Sequence, residues 1–362
     1  MQGASMYWFF PFLNYLIFPI LICFSIGVLY NTSIKKKYLL LCFFITFLSI
    51  FIQVINNAIS HRILLFIAGP ILGYWVYKCS FKSSILVYSF GGMIILLLFF
   101  YAKHYSFENL FPEVSSNYLS ILMITNVALI AGIELKQHET ISILPAFGGF
   151  LLSLLAMGRS GILCSALLLL WILLVRINGL STLWKLVFIL GLFLIIGVIF
   201  KFYSPVDTLN NMEVLGKFNH KGLDSHVRTN LINEYLSHIN EKTILLGYDY
   251  KDNPYYMVYK HPHNSYFALH HQIGFVSFIL LFYIVKYWLK VLKKNIVAFI
   301  ILFSLILRAY TDVYLFPGYY DFIIYFLLIT FSGYNTNEES DHYRCRRHGA
   351  YLIRYGARKC WI

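Results

Sequence analysis
Residues 84–101 read SILVYSFGGMIILLLFFY, with no charged side chain and no proline. A backbone in such a run must pair its own N–H and C=O groups, and a helix of about 20 residues crossing a bilayer does so. Ten further apolar runs lie near 9–30, 38–56, 61–77, 118–134, 141–157, 160–176, 183–200, 265–285, 296–316 and 319–333. With 59% hydrophobic and 12% charged residues, the chain lacks the polar material that a soluble surface of this size requires. The expected fold is therefore all-α, a polytopic transmembrane helix bundle of about 11–12 spans. The first run has no basic flank before it and no small-residue cleavage site after it, so no cleavable signal peptide is expected.

Net charge is +13, but the basic residues sit in short clusters between apolar runs rather than along one soluble face, which argues against a nucleic-acid partner. Their distribution sets the orientation instead. With the N-terminus outside, the inward short loops and the tail hold 18 of the 29 Lys and Arg residues, from Lys35–Lys37 to Lys359. The outward short segments hold Arg62, Lys103, Arg159 and Arg308, and the remaining seven are spread over one long segment. Basic loops stay in the cytoplasm, so the long segment faces outward, into the periplasm of a Gram-negative cell.

Four regions follow: about eight spans in 1–200, a large periplasmic loop at 201–264, the C-terminal spans in 265–333, and a basic cytoplasmic tail at 334–362. The tail, EESDHYRCRRHGAYLIRYGARKCWI, suits attraction to anionic membrane lipid or enforcement of topology. Within the loop, RTNLINEYLSHINEKTILLGYDY spaces Leu231, Tyr235, Ile239, Ile244 and Leu245 at roughly helical intervals and offers Gly247 as a stop. One or two short amphipathic helices are expected there, lying on the membrane. The six cysteines, Cys23, Cys42, Cys79, Cys164, Cys345 and Cys360, include no CxxC pair, so neither a disulfide framework nor a zinc site is expected.

Polar groups that can do chemistry gather on the outward side. MGRSG (157–161) joins two spans, and the helix that follows would point its N-terminus outward with Arg159 beside it. Such an end attracts anions, which makes Arg159 a diphosphate-binding candidate or an interfacial arginine on lipid phosphate. Arg228 opens the amphipathic part of the loop. YKHPHNSYFALHHQIGF (259–275) holds four histidines, with His261 and His263 at the outer surface beside Asn264 and Tyr266. A metal site needs three ligands in fixed geometry, and no HExxH or thiolate pair supports one. A single histidine suffices for general-base work, and a structural histidine fits as well. ILRAYTDVYLFP places Arg308 and Asp312 four apart, as a site or as an ion pair that locks topology.

In this order, GRSGIL, the loop segment RTNLINEYLSHINEKTILLGYDY and HPHNSYFALHHQIGFVSFIL resemble the O-antigen polymerase and O-antigen ligase superfamily of bacterial membrane glycosyltransferases, over roughly residues 140–320. The resemblance implies a GT-C-like bundle in the inner membrane that takes a glycan from an undecaprenyl diphosphate carrier at the periplasmic face. No metal, cofactor or nucleotide sugar is implied. It casts Arg159 and Arg228 as diphosphate-holding arginines and His263 as the catalytic or acceptor-orienting histidine, with His261 a rival in the same motif. His261, Asn264, Tyr266, Arg308 and Asp312 are the expected substrate-binding groups. The partners implied are the undecaprenyl-diphosphate-linked oligosaccharide and membrane lipid, with a chain-length regulator protein left open. The short chain and the HPHNSYFAL form favour a polymerase, which extends a lipid-linked repeat, over a ligase, which transfers to lipid A-core. A flippase is less well matched, because transporters place charges deep in several spans and keep short outer loops.

Overall fold
The computed structural model describes residues 36–56, 61–104, 117–156, 158–178, 226–250, 253, 263–316 and 318–332. Every regular element among them is helical: α1 (Lys36–Ile55), a 3-10 turn (His61–Leu64), α2 (Leu65–Lys78), α3 (Ser83–His104), α4 (Asn117–Lys136), α5 (Ile143–Leu155), α6 (Arg159–Asn178), α7 (His226–Ser237), α8 (Glu241–Leu246), α9 (Ser265–Ile273), α10 (Val276–Lys294), α11 (Ile296–Thr311) and α12 (Asp321–Phe331). The runs at 9–30 and 183–200, the first part of the long loop, His261 and the tail lie outside the described residues.

Three of these helices are long and apolar enough to cross a membrane: Ser83–Lys103, Asn117–Lys136 and Arg159–Ile177. Of the shorter apolar helices, Ile143–Leu155, Ile296–Thr311 and Asp321–Phe331 pack with them, and Cys42–Ile55 packs on α2, α9 and α10. Burial separates the long ones. α4 is the centre, packed by α3, α5, α6, α11 and α12, and Met123, Ile124, Ala128 and Ile130 are lost to solvent. α3 lies at the edge, where Tyr88, Ile95, Leu96 and Phe99 stay exposed. An uncovered apolar face of that extent belongs against lipid, since water would penalise it by about 25 cal/mol per Å2.

The apolar run expected as one span at 265–285 is divided. α9 stops at Ile273, and α10 begins at Val276 after a corner at Gly274, whose φ of +50° suits glycine. A Cβ at Gly274 would collide with the Leu245 carbonyl, and the next residue, Phe275, donates its N–H to that same oxygen at 3.0 Å. The end of α8 therefore sits directly on the corner, and the divided helix is the seat for the long loop.

That seat is reinforced by side chains. Leu231, Tyr235 and Tyr250 form a small core of their own, with Ile239, Tyr248 and Phe267 packed around it. The Tyr235 hydroxyl lies 2.7 Å from His270 Nδ1, and His270 Nε2 lies 3.2 Å from the Ile244 carbonyl. His271 Nδ1 donates to the Tyr248 carbonyl at 2.7 Å, and Asn56 Nδ2 of the bundle donates to the Leu246 carbonyl at 2.7 Å. Two of the four histidines in the 259–275 stretch thus fasten the loop helices to α9.

Candidate functional site
The polar ends of the helices gather at two opposite poles. At one, Lys136 in the last turn of α4 reaches the carbonyls that finish α2, donating to Tyr77 and to Cys79 at 2.9 Å. Arg176, in the last turn of α6, donates through Nε to the Ile141 carbonyl at 2.7 Å, and the Glu134 carboxylate takes the Ser142 N–H at 2.9 Å and its hydroxyl. Cations and helix C-termini match there.

The other pole is built from the start of α4, the start of α6, the end of α11 and the entry to α9. Gly158 and Gly161 let α6 approach closely: a Cβ on Gly158 would meet the Asn117 side chain, and one on Gly161 would collide with Ser120. This contact brings Arg159, in the first turn of α6, to the pole where α11 ends. Arg308 is completely buried. Its Nη1 donates to Thr311 Oγ1 at 2.8 Å and its Nη2 to the Asn117 carbonyl at 3.3 Å, with Asp312 Oδ2 3.4 Å away. A buried guanidinium held this way ties α11 to α4 and fixes the Asp312 carboxylate.

Asp312 in turn faces His263. Its Oδ1 lies 4.0 Å from His263 Nδ1, too long for a hydrogen bond but close enough for charge to matter. His263 is about a third exposed and holds a left-handed backbone, φ 48°, a conformation that costs a non-glycine residue about 1–3 kcal/mol and persists where the surroundings dictate it. The surroundings here are explicit. Asn264 caps α9, its Oδ1 accepting the N–H groups of Tyr266 at 2.9 Å and Phe267 at 3.3 Å. Ser265 donates to the Asp312 carbonyl at 2.7 Å and accepts the N–H of Tyr314 at 3.1 Å.

Arg228 of α7 completes the group. Burial presses its guanidinium below the usual arginine range, the Asp312 carboxylate pulls it back, and the positive charges of Arg308 and Arg159 press it down again. Arg228 stays cationic even so, because guanidinium does not deprotonate in proteins. Arg228 therefore shares an electrostatic neighbourhood with Asp312, Arg308 and Arg159, and among these described residues positive charge is in excess. Among the described residues, the buried donors Arg308 Nε and Asn264 Nδ2 also have no acceptor. Such a pole is suited to oxygen-rich anions.

Of the residues expected from sequence, Arg308, Asp312 and His263 come together here, and Arg228 lies within electrostatic reach of Asp312, Arg308 and Arg159. Asn264 serves as the helix cap beside them. Tyr266 turns its hydroxyl to the Ile306 carbonyl, 2.7 Å away, within the helix packing. His261 lies outside the described residues. Asn117 and Ser120, which receive Arg308, carry no motif in the sequence, and neither do Arg62 and Tyr118 at the same pole. Among the described residues no group of three His, Cys, Asp or Glu side chains is placed to hold a metal ion. No protein-family model matches the chain, and no curated protein or solved structure matches it either.

Proposed function
We propose that the chain is an O-antigen polymerase, a multi-pass inner-membrane glycosyltransferase that joins undecaprenyl-diphosphate-linked oligosaccharide repeats at the periplasmic face. The observation that carries this reading is the run from Arg308 to Asp312 to His263 at one pole, with Arg228 within electrostatic reach of Asp312, Arg308 and Arg159. A lipid-linked donor brings two phosphates and a sugar to the bilayer surface. Its leaving diphosphate needs charge neutralisation, and planar guanidinium forks match phosphate oxygens.

In the proposed step an acceptor sugar hydroxyl attacks the anomeric carbon of the donor, and the bond from that carbon to the diphosphate oxygen breaks. His263 takes the hydroxyl proton, and Asp312 favours the imidazolium that results. The arginines receive the charge that moves onto the departing diphosphate. Around this pole the bundle is read as GT-C-like, with the 201–264 segment outside.

The lipopolysaccharide ladder of a deletion strain tests the assignment. Core bearing a single repeat is the expected pattern. Bare core with accumulated lipid-linked polymer would instead assign a ligase, and an unaltered ladder would remove both. Sidedness has its own test: a reporter fused within 205–255 should work only in the periplasm, and one fused after Asn335 only in the cytoplasm.

A further inference from the structure
Ser265 is the first residue of α9, two positions after His263, and it is completely buried. Its Oγ donates to the Asp312 carbonyl at 2.7 Å and accepts the N–H groups of Tyr314 at 3.1 Å and Leu315 at 3.2 Å. A hydroxyl has one donor and two acceptor positions, and here all three go to the segment that follows α11. One atom thus holds residues 312–315 against the entry to α9.

Other bonds secure the same segment from different sides. Asp312 Oδ1 accepts the Val313 N–H at 2.9 Å, and Oδ2 lies 3.4 Å from Arg308 Nη2. The Tyr314 hydroxyl donates to the Leu305 carbonyl at 2.6 Å, and the Asp321 carboxylate accepts the N–H groups of Phe316 at 3.1 Å and Gly318 at 2.9 Å. Those bonds tie the segment to α11 and α12. The Ser265 bonds tie it to α9, the helix that His263 precedes. His263 Nδ1 and Asp312 Oδ1, 4.0 Å apart, face each other across this junction. A carboxylate at that distance favours the imidazolium, and the effect weakens as the two draw apart.

We infer that Ser265 is a positioning residue: it acts through Asp312, holding that carboxylate at the distance from which it supports the proton-accepting His263. The inference rests on the glycosyltransferase reading above. A serine that only stabilised the fold would alter the amount of folded protein and leave the coupling between His263 and Asp312 untouched.

Two measurements on the full chain in nanodiscs test it. One is chain extension from lipid-linked repeats, normalised to folded protein; the other is the titration of His263, followed by NMR of isotope-labelled histidine and assigned by its loss in His263→Gln. Ser265→Ala should lower kcat about tenfold and leave KM within about twofold, because the serine acts on the proton transfer and not on substrate binding. The His263 titration should move to lower pH by about 0.5–1 in that variant. Ser265→Thr, which keeps the hydroxyl, should stay near wild type in both measurements. In an Asp312→Asn background, Ser265→Ala should move neither further. An unshifted His263 titration in Ser265→Ala, or the same loss of kcat in both backgrounds, overturns the positioning role. A wild-type protein that extends no chain overturns the glycosyltransferase reading, and the titration still decides whether Ser265 sets the coupling of Asp312 to His263.

Discussion
The two poles of the bundle use the same kinds of side chain to opposite effect. At the pole formed by Lys136 and Arg176, each cation stands in the last turn of its own helix and donates to helix-end or inter-helix carbonyls. Position, dipole and hydrogen bonds agree, and the charge is consumed by the fold. At the other pole Arg159 stands in the first turn of α6, the positive end of the dipole, and shares its neighbourhood with Arg228 and Arg308. A helix N-terminus favours negative charge nearby. Lys136 and Arg176 stand at helix C-termini and hold neighbouring helices together, whereas Arg159 stands at a helix N-terminus.

The sharpest way to break this contrast is to remove the arginines. Arg159→Ala and Arg228→Ala should each reduce glycan extension by about 100-fold or more, with lysine restoring only part of it. Wild-type ladders from both variants would make these ordinary interfacial residues.

Arg308 belongs to the same pole but is buried, so its loss should appear in the fold as well. Arg308→Ala takes from the buried Asp312 carboxylate its ion-pair partner within 3.4 Å and from the Asn117 carbonyl a donor, and denaturation should register a loss of about 3–5 kcal/mol. Adding Asp312→Ala should recover part of that loss if the pair is coupled. Strict additivity of the two changes would show that they act independently.

Lys136→Met tests the other pole. Removing the ammonium strips the carbonyls of Tyr77 and Cys79 of a donor and should cost about 1–3 kcal/mol, while activity per folded molecule is retained. The smallest effect is expected at the loop. Tyr235→Phe removes one hydrogen bond to His270 and should cost about 1 kcal/mol, read as faster proteolysis within the loop. No change in either measurement would mean that the loop is held by its apolar contacts alone.

Much of this was legible in the sequence because it depends on local pattern. Apolar run length located the helices, and the spacing of Leu231 and Tyr235 by four anticipated a helix whose two residues are now fully buried. Arg308 and Asp312, also four apart, do pair. What the sequence concealed depends on partners distant along the chain. Gly274 reads as one more residue of an apolar run until the Leu245 carbonyl occupies the space of its missing side chain. Ile244 and Leu245 follow the helical spacing yet remain exposed. Lys136 looked like a topology charge, and its role as donor to the end of α2 needed the fold. Asn117 opens an apolar helix with no motif, and only the seating of α4 against α6 and α11 brings its carbonyl to Arg308.

The most direct measurement is chain extension by purified protein supplied with lipid-linked repeat units alone, in the presence of a chelator and without nucleotide sugar. The expected result is a polymer ladder from the wild type and from Lys136→Met, and none from Arg159→Ala or Arg228→Ala. A ladder undiminished in the two arginine variants, or lost equally in Lys136→Met at matched amounts of folded protein, would contradict the claim that one pole works on the lipid diphosphate while the other only holds the bundle.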